Sequence, residues 1–275
     1  MSLAPKDLVD EAIKRGKAKA EYSLLTTAVL AIMAGVFIGI AGVAMIRTMG
    51  SMPAEWGTLV NLLGALMFPF GLICLLLVGG ELVTGNMLAV TMAFYAKAIS
   101  FKQWARNMFL VTIFNFVGAA GVAVFFGYFS GTLQGAFVER TIAVAVGRVA
   151  DAPLQAFLSG IACNILVCTG VYMNMAAKDF IGKIVGTFLP VAGFVIAGYQ
   201  HVVANMFLIV AGILAGGATW EQFVTNMLFV WLGNLVGGGV ILAGSYFLAF
   251  KVGMKQTTTT AAVKQDHVAG ILEHK

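Results

Sequence analysis

Two long apolar segments of this chain are interrupted at the same place by the same kind of residues. The first interruption runs from Gly79 to Met87 (GGELVTGNM) and the second from Gly198 to Met206 (GYQHVVANM), 119 positions later. Polar, helix-breaking backbone at membrane depth is tolerated only where protein buries it or where it lines a cavity. Matched interruptions in the two halves of a chain point to a solute site between them. The chain is therefore expected to move something across a membrane.

The composition agrees. Hydrophobic residues make up 60% of the chain and charged residues 11%, with a mean hydropathy of +0.94, against roughly 25% charged in a soluble domain. Apolar runs cover 24–46, 58–78 continuing in 87–96, 108–129, 156–175, 184–197 continuing in 202–214, and 223–250. At about 20 residues per crossing, this predicts six transmembrane helices, the second and fifth interrupted. The first run follows a charged stretch with no small-residue cleavage site, so no removable signal peptide is expected.

With both termini in the cytoplasm, the inner loops and termini hold fourteen Lys and Arg and the outer side only Arg47, Arg140 and Arg148. That asymmetry sets the orientation and accounts for the net charge of +5 without invoking nucleic acid. Residues 1–23 place Leu8, Val9, Ala12 and Ile13 at helical spacing among lysines, which predicts an amphipathic helix on the cytoplasmic interface. Residues 24–250 form the channel domain, and 251–275 read as a flexible cytoplasmic tail. Cys74, Cys163 and Cys168 lie within spans as small packing residues, and no metal or cofactor is expected.

Extending the 119-residue register from Gly79 to Gly118 gives 12 identities in 40 positions, among them Asn86 with Asn205, Gln103 with Gln222, Asn107 with Asn226 and Asn115 with Asn234. Apolar composition matches Val or Ala by chance, but not Asn and Gln. Each half holds three spans, so the second copy enters the membrane inverted and both breaks meet near the midplane. Asn115 and Asn234 are placed to hydrogen-bond backbone groups freed by the breaks, with direct solute contact as the alternative.

The departures from symmetry are informative. Leu82 aligns with His201, Thr84 with Val203 and Glu81 with Gln200. An ionisable residue at this depth is by default a functional candidate; the alternative for His201 is a neutral ring satisfied by nearby Asn or Thr. Thr84 can present its hydroxyl to the pore or to His201. Glu81 opens the second half-helix, where a carboxylate caps free N–H groups, with a pore role as the alternative.

These motifs, the paired Asn-x-Val-Gly at 115–118 and 234–237, and the two broken spans resemble the formate/nitrite transporter family of pentameric anion channels. The resemblance runs from the amphipathic start to Phe250. It implies an all-α, aquaporin-like fold of two inverted three-helix repeats in a bacterial inner membrane, assembled as a homopentamer. No proline lies in an Asn-Pro-Ala motif, which sets the chain apart from aquaporins proper. The resemblance further places a central histidine at His201, a loop threonine at Thr84, a fourth-span asparagine at Asn164 and an outer-mouth cation at Arg148. It places hydrophobic constrictions at Phe68, Leu72, Leu82, Val83, Val167 and Phe194. Where the family usually carries Lys, Arg148 keeps the charge but cannot release a proton; where many members carry Glu, Gln200 lacks the carboxylate. Among the branches, the motifs look most like the bacterial hydrosulfide channels.

The expected function is thus a channel for small monovalent anions of weak acids, hydrosulfide ahead of formate and nitrite. An ion does not cross an apolar ring cheaply, so protonated His201 is expected to pass a proton to the solute. In the alternative mechanism His201 stays neutral and fixed dipoles steer the anion. A neutral-solute channel for water, glycerol or ammonia is the competing class. An enzyme is not expected, because the spans hold no nucleophile pair or metal-ligand cluster.

Overall fold

In the computed structural model, residues 2–253 are described, and they are almost entirely helical. The expected tail lies outside the described residues from 254 onward. Eleven helices follow in order: α1 (Pro5–Glu21), α2 (Leu24–Gly50), α3 (Thr58–Met67), α4 (Pro69–Val78), α5 (Val83–Tyr95), α6 (Phe101–Gly121), α7 (Val138–Val149), α8 (Pro153–Ala176), α9 (Phe180–Ile196), α10 (Val202–Leu214) and α11 (Trp220–Leu235). π-Helical turns prolong α6 to Phe129, and further helix prolongs α11 to Gly253. Five helical stretches are long and apolar enough to cross a membrane; one of them, α3–α4, is followed across the first break by the shorter α5, and the short α9 and α10 make the other broken span.

Local chemistry sets the helix starts in pairs. Ser100 caps α6 by accepting from the Gln103 N–H at 3.2 Å, and Thr219 caps α11 by accepting from Gln222 N–H at 3.2 Å. In each case the Gln side chain accepts the cap residue's own N–H, completing a capping box. The two caps stand 119 positions apart, so the repeat is visible in the termini as well as in the breaks.

The packing repeats too. α2 packs along α6 and α8 along α11. At each seam a Cβ would collide with facing backbone: at Gly118 with the Ile32 carbonyl oxygen at 2.1 Å, and at Gly233 with that of Phe157 at 2.2 Å. Small residues let membrane helices approach this closely. Large apolar side chains such as Leu25, Phe109, Phe129, Leu189 and Val224 face outward, while Thr84, Asn115, Asn164, His201 and Asn234 are buried. That inside-out distribution suits a bilayer.

The N-terminal helix differs from its expected setting. Leu8, Val9, Ala12 and Ala20 are buried, because α1 packs on α5 and α8 instead of offering its apolar stripe to lipid. Gly16 makes the approach feasible, since a Cβ there would lie 1.9 Å from the Ala89 carbonyl oxygen. Gly16→Val should therefore undock α1, seen as tryptic cleavage within 1–23 under conditions where the parent is protected. Unchanged protection would overturn this account of the contact.

The second amphipathic helix, α7, was not foreseen from the sequence. It packs on α10 as α1 packs on α5. Lys19 and Arg148 lie 129 positions apart, as do Ala31 and Gly160, so the duplication includes these helices with a different spacing. The ten-residue change in register hid the match.

Candidate functional site

Each break begins at a glycine in the left-handed region, Gly79 at φ 93° and Gly198 at φ 75°, where a side chain would be strained. The chain then runs extended through Leu82 (φ −101°, ψ 124°) and His201 (φ −106°, ψ 121°), which precede α5 and α10. Asn115 closes the first break: its Oδ1 accepts from Val83 N–H at 2.9 Å, and its Nδ2 donates to the carbonyls of Glu81 and Ala31, each at 2.8 Å. Asn234 closes the second in the same way, accepting from Val202 N–H at 2.9 Å and donating to the carbonyls of Gln200 at 3.0 Å and Gly160 at 2.8 Å. Both side chains are fully buried, so these backbone groups are satisfied by protein at each break.

The symmetry fails where His201 replaces Leu82. His201 Nδ1 accepts from Ala204 N–H at 3.1 Å and caps α10, whereas Leu82 leaves α5 without a side-chain cap. His201 Nε2 lies 2.9 Å from Thr84 Oγ1. Assigned from this network, Nδ1 is the acceptor, Nε2 carries the proton and donates to Thr84. The Thr84 hydroxyl hydrogen is then free to be given to another acceptor.

Glu81 does not cap α5, contrary to the expectation from its position. It precedes the N-cap residue Leu82, so its side chain points elsewhere. One carboxylate oxygen pairs with Lys19 Nζ of α1, and the other accepts from Asn86 Nδ2 at 2.8 Å. Asn86 also donates to Asn107 Oδ1 at 2.9 Å, and Asn107 donates to the Lys19 carbonyl at 3.1 Å. The other half repeats the pattern with Gln200, Asn205, Asn226 and the Arg148 carbonyl. The matching Asn107 and Asn226 were visible in the sequence, but their role was not.

Two cavities flank this centre. One of about 310 Å³ on the α1 side is lined by Arg15, Lys19, Glu81, Leu82, Asn86 and Asn174, among others. One of about 320 Å³ on the α7 side is bordered by Met45, Asn61, Arg140, Arg148, Val195 and Gly198. Met45, Arg148 and Val195 also border a narrow space of about 10 Å³ that reaches Phe68, Phe194, His201 and Asn205. There Phe68 and Phe194 meet edge to face at 5.9 Å, and Phe194 lies 5.7 Å from the His201 ring.

Leu72, Val83 and Val167 are buried in the core and border none of these three cavities. Asn164 likewise holds backbone: its Nδ2 donates to the carbonyls of Thr84 at 3.3 Å and Asn234 at 2.7 Å, joining the two halves. Cys168 donates its thiol to the same Thr84 carbonyl at 3.2 Å, so it contributes more than apolar volume. Arg148 reaches back to the carbonyls of Gly198 at 2.9 Å and Tyr199 at 3.1 Å, placing a cation at the carbonyl-rich break after α9.

Two inverted halves, two broken helices meeting at a buried polar centre, and a cavity on either side define a membrane transport protein. The formate/nitrite transporter model matches residues 6–248, and the chain belongs to that family. A Bacillus subtilis protein described as the uncharacterized transporter YrhG is 44% identical over 247 residues, covering 90% of this chain and 93% of its own length. The formate channel BtFdhC of Bacillus thuringiensis is 38% identical over 247 residues, covering 90% and 95%. Among solved structures, an FNT family ion channel superposes with a TM-score of 0.83 over 88% of this chain and 98% of its own, at 24% identity, a likeness of fold. A pentameric formate channel with formate bound matches at 31% identity and a TM-score of 0.71, covering 82% and 97%.

Proposed function

We propose that this protein passes small monovalent anions of weak acids, formate foremost, through one path per subunit of a homopentamer in a bacterial cell membrane. α1 and both termini lie on the cytoplasmic side, in keeping with the distribution of Lys and Arg. The observation that carries the reading is the His201–Thr84 pair at 2.9 Å, set behind the Phe68–Phe194 contact and between two cavities that hold Lys19 and Arg148. Formate replaces hydrosulfide as the favoured solute because relatives at 38% and 36% identity are described as a formate channel and a probable formate transporter.

The cationic cavities gather the anion. As it leaves water for the aromatic gap, desolvation favours its neutral acid, so the proton comes from water at the mouth. The Nδ1 contact supports a neutral His201, since an imidazolium would aim an N–H at the Ala204 N–H, at the positive end of α10. His201 then acts as a fixed dipole that turns the Thr84 hydroxyl toward the passing solute, instead of the proton donor expected from the sequence.

Labelled formate uptake into proteoliposomes should rise as pH falls and be competed by nitrite and hydrosulfide. Water or glycerol permeation without anion competition would overturn the reading in favour of a neutral-solute channel. The histidine's role is tested separately. His201→Asn should keep pH-dependent uptake within about tenfold of the parent, as loss of one hydrogen bond allows. Loss of about 100-fold or more, the scale of a removed acid–base group, would restore the proton-donor mechanism.

A further inference from the structure

The two breaks carry the same polar frame with different charge arrangements. In the first half, the break supplies the carboxylate of Glu81 and the amphipathic helix supplies the cation of Lys19. In the second, the break supplies the neutral amide of Gln200, and Arg148 is turned away to the carbonyls of Gly198 and Tyr199. The place facing Gln200 is taken by Asp151, from the turn between α7 and α8, whose Oδ2 accepts from Gln200 Nε2 at 2.5 Å. The carboxylate has moved from the break to its rim.

Gln200 is fully enclosed, 1% exposed, and every polar group it owns is engaged. Its Nε2 also donates to the Arg148 carbonyl at 3.0 Å, and its Oε1 accepts from Asn205 at 2.6 Å and Asn226 at 3.0 Å. Its N–H donates to Ser159 Oγ at 3.1 Å and its carbonyl accepts from Asn234. An amide turned over in that site would set its oxygen against the Arg148 carbonyl and the Asp151 carboxylate. Asp151 is the charged member of the set and the one exposed to solvent. It borders a separate cavity of about 340 Å³ with Thr219, Glu221, Gln222, Thr225 and Asn226, outside the path from Arg148 to His201.

We propose that Asp151 is a positioning residue for the solute path: its carboxylate fixes the Gln200 amide, and through it the break that carries His201 and Asn205. The residue acts through Gln200 and does not touch the solute. This assignment rests on the proposed solute path only for its uptake readout.

The test is a charge swap in the full-length protein, followed by labelled formate uptake and by the thermal midpoint in detergent, each across pH 6 to 8. D151N keeps an acceptor oxygen and should stay near the parent, whereas D151L should lower uptake by about tenfold or more, the scale of a lost charged hydrogen bond. Q200E sets two carboxylates against each other, so one must hold a proton. A carboxyl whose folded-state pKa is raised stabilises below that pKa and ceases to do so above it. Uptake and thermal midpoint of Q200E should therefore both fall more steeply with rising pH than those of the parent, with Arg148 and Glu221 as the charged neighbours in every variant. Q200E/D151N should recover part of the loss, because an asparagine amide at 151 donates to the new carboxylate while the Arg148 carbonyl still faces it.

Parent-like uptake in D151L, or a double variant no better than Q200E, would overturn the proposal. The thermal profile does not depend on which anion moves. If the parent fails to pass formate, the functional reading falls alone and the midpoints of Q200E and Q200E/D151N still decide the role of Asp151.

Discussion

Replacing Asn234 with leucine is expected to leave no stable, transport-competent protein. The side chain is fully buried and makes three hydrogen bonds to backbone, one accepted from Val202 N–H and two donated to the carbonyls of Gln200 and Gly160. Leucine would leave Val202 N–H and the Gln200 carbonyl without a partner, while the Gly160 carbonyl keeps its bond within α8. At about 1–3 kcal/mol for each buried polar group left unmade, the loss takes a large share of a margin of about 5–15 kcal/mol. Asn234→Asp keeps the acceptor and loses the donor, so it should fall between parent and Asn234→Leu. Asn115→Leu should fail to the same degree, because its three bonds at the first break have the same geometry. The thermal midpoint and size-exclusion profile in detergent report the outcome. A midpoint for Asn234→Leu within about 2–4 °C of the parent, the shift that about 1 kcal/mol produces, would show that the breaks are held by other means.

The second large effect is expected at Lys19. Lys19→Met removes the cation from Glu81, which is 2% exposed. Stripping one partner from a buried pair costs about 3–5 kcal/mol. The loss here should lie at the lower end, because the Lys19 side chain is 20% exposed and borders the α1-side cavity. α1 should loosen, with earlier tryptic cleavage within 1–23. Lys19→Met combined with Glu81→Gln should recover much of the loss, since the amide oxygen in the equivalent place, on Gln200, accepts from Asn205 and Asn226. A double variant as unstable as Lys19→Met would mean that the alkyl stem of Lys19, and not its charge, holds α1.

Much of the fold was legible in the chain itself. The six spans follow from apolar length, and the breaks from Gly79 and Gly198. The inverted repeat follows from Asn and Gln recurring in one register. The candidate site was legible in part, because His201 and Thr84 stand where the two copies differ. Glu81 was misread, since a carboxylate beside a helix start is compatible with capping and with pairing, and only the approach of α1 chooses between them. α7 was missed because its twelve residues are too short to read as a span, and its match to α1 lies outside the 119-residue register.

Which segments cross the membrane, where they break and that the halves are copies can all be read from the chain. These properties are local: a run of apolar side chains, a glycine without Cβ and a recurring spacing are all read along the chain. The partners of the polar groups at the breaks, by contrast, are set by how the helices pack. Lys19 meets Glu81 across 62 positions, Asp151 meets Gln200 across 49 and Thr84 meets His201 across 117. No periodicity encodes such pairings. They are selected when packed helices bring donors and acceptors together away from water, where an unpaired polar group is costly.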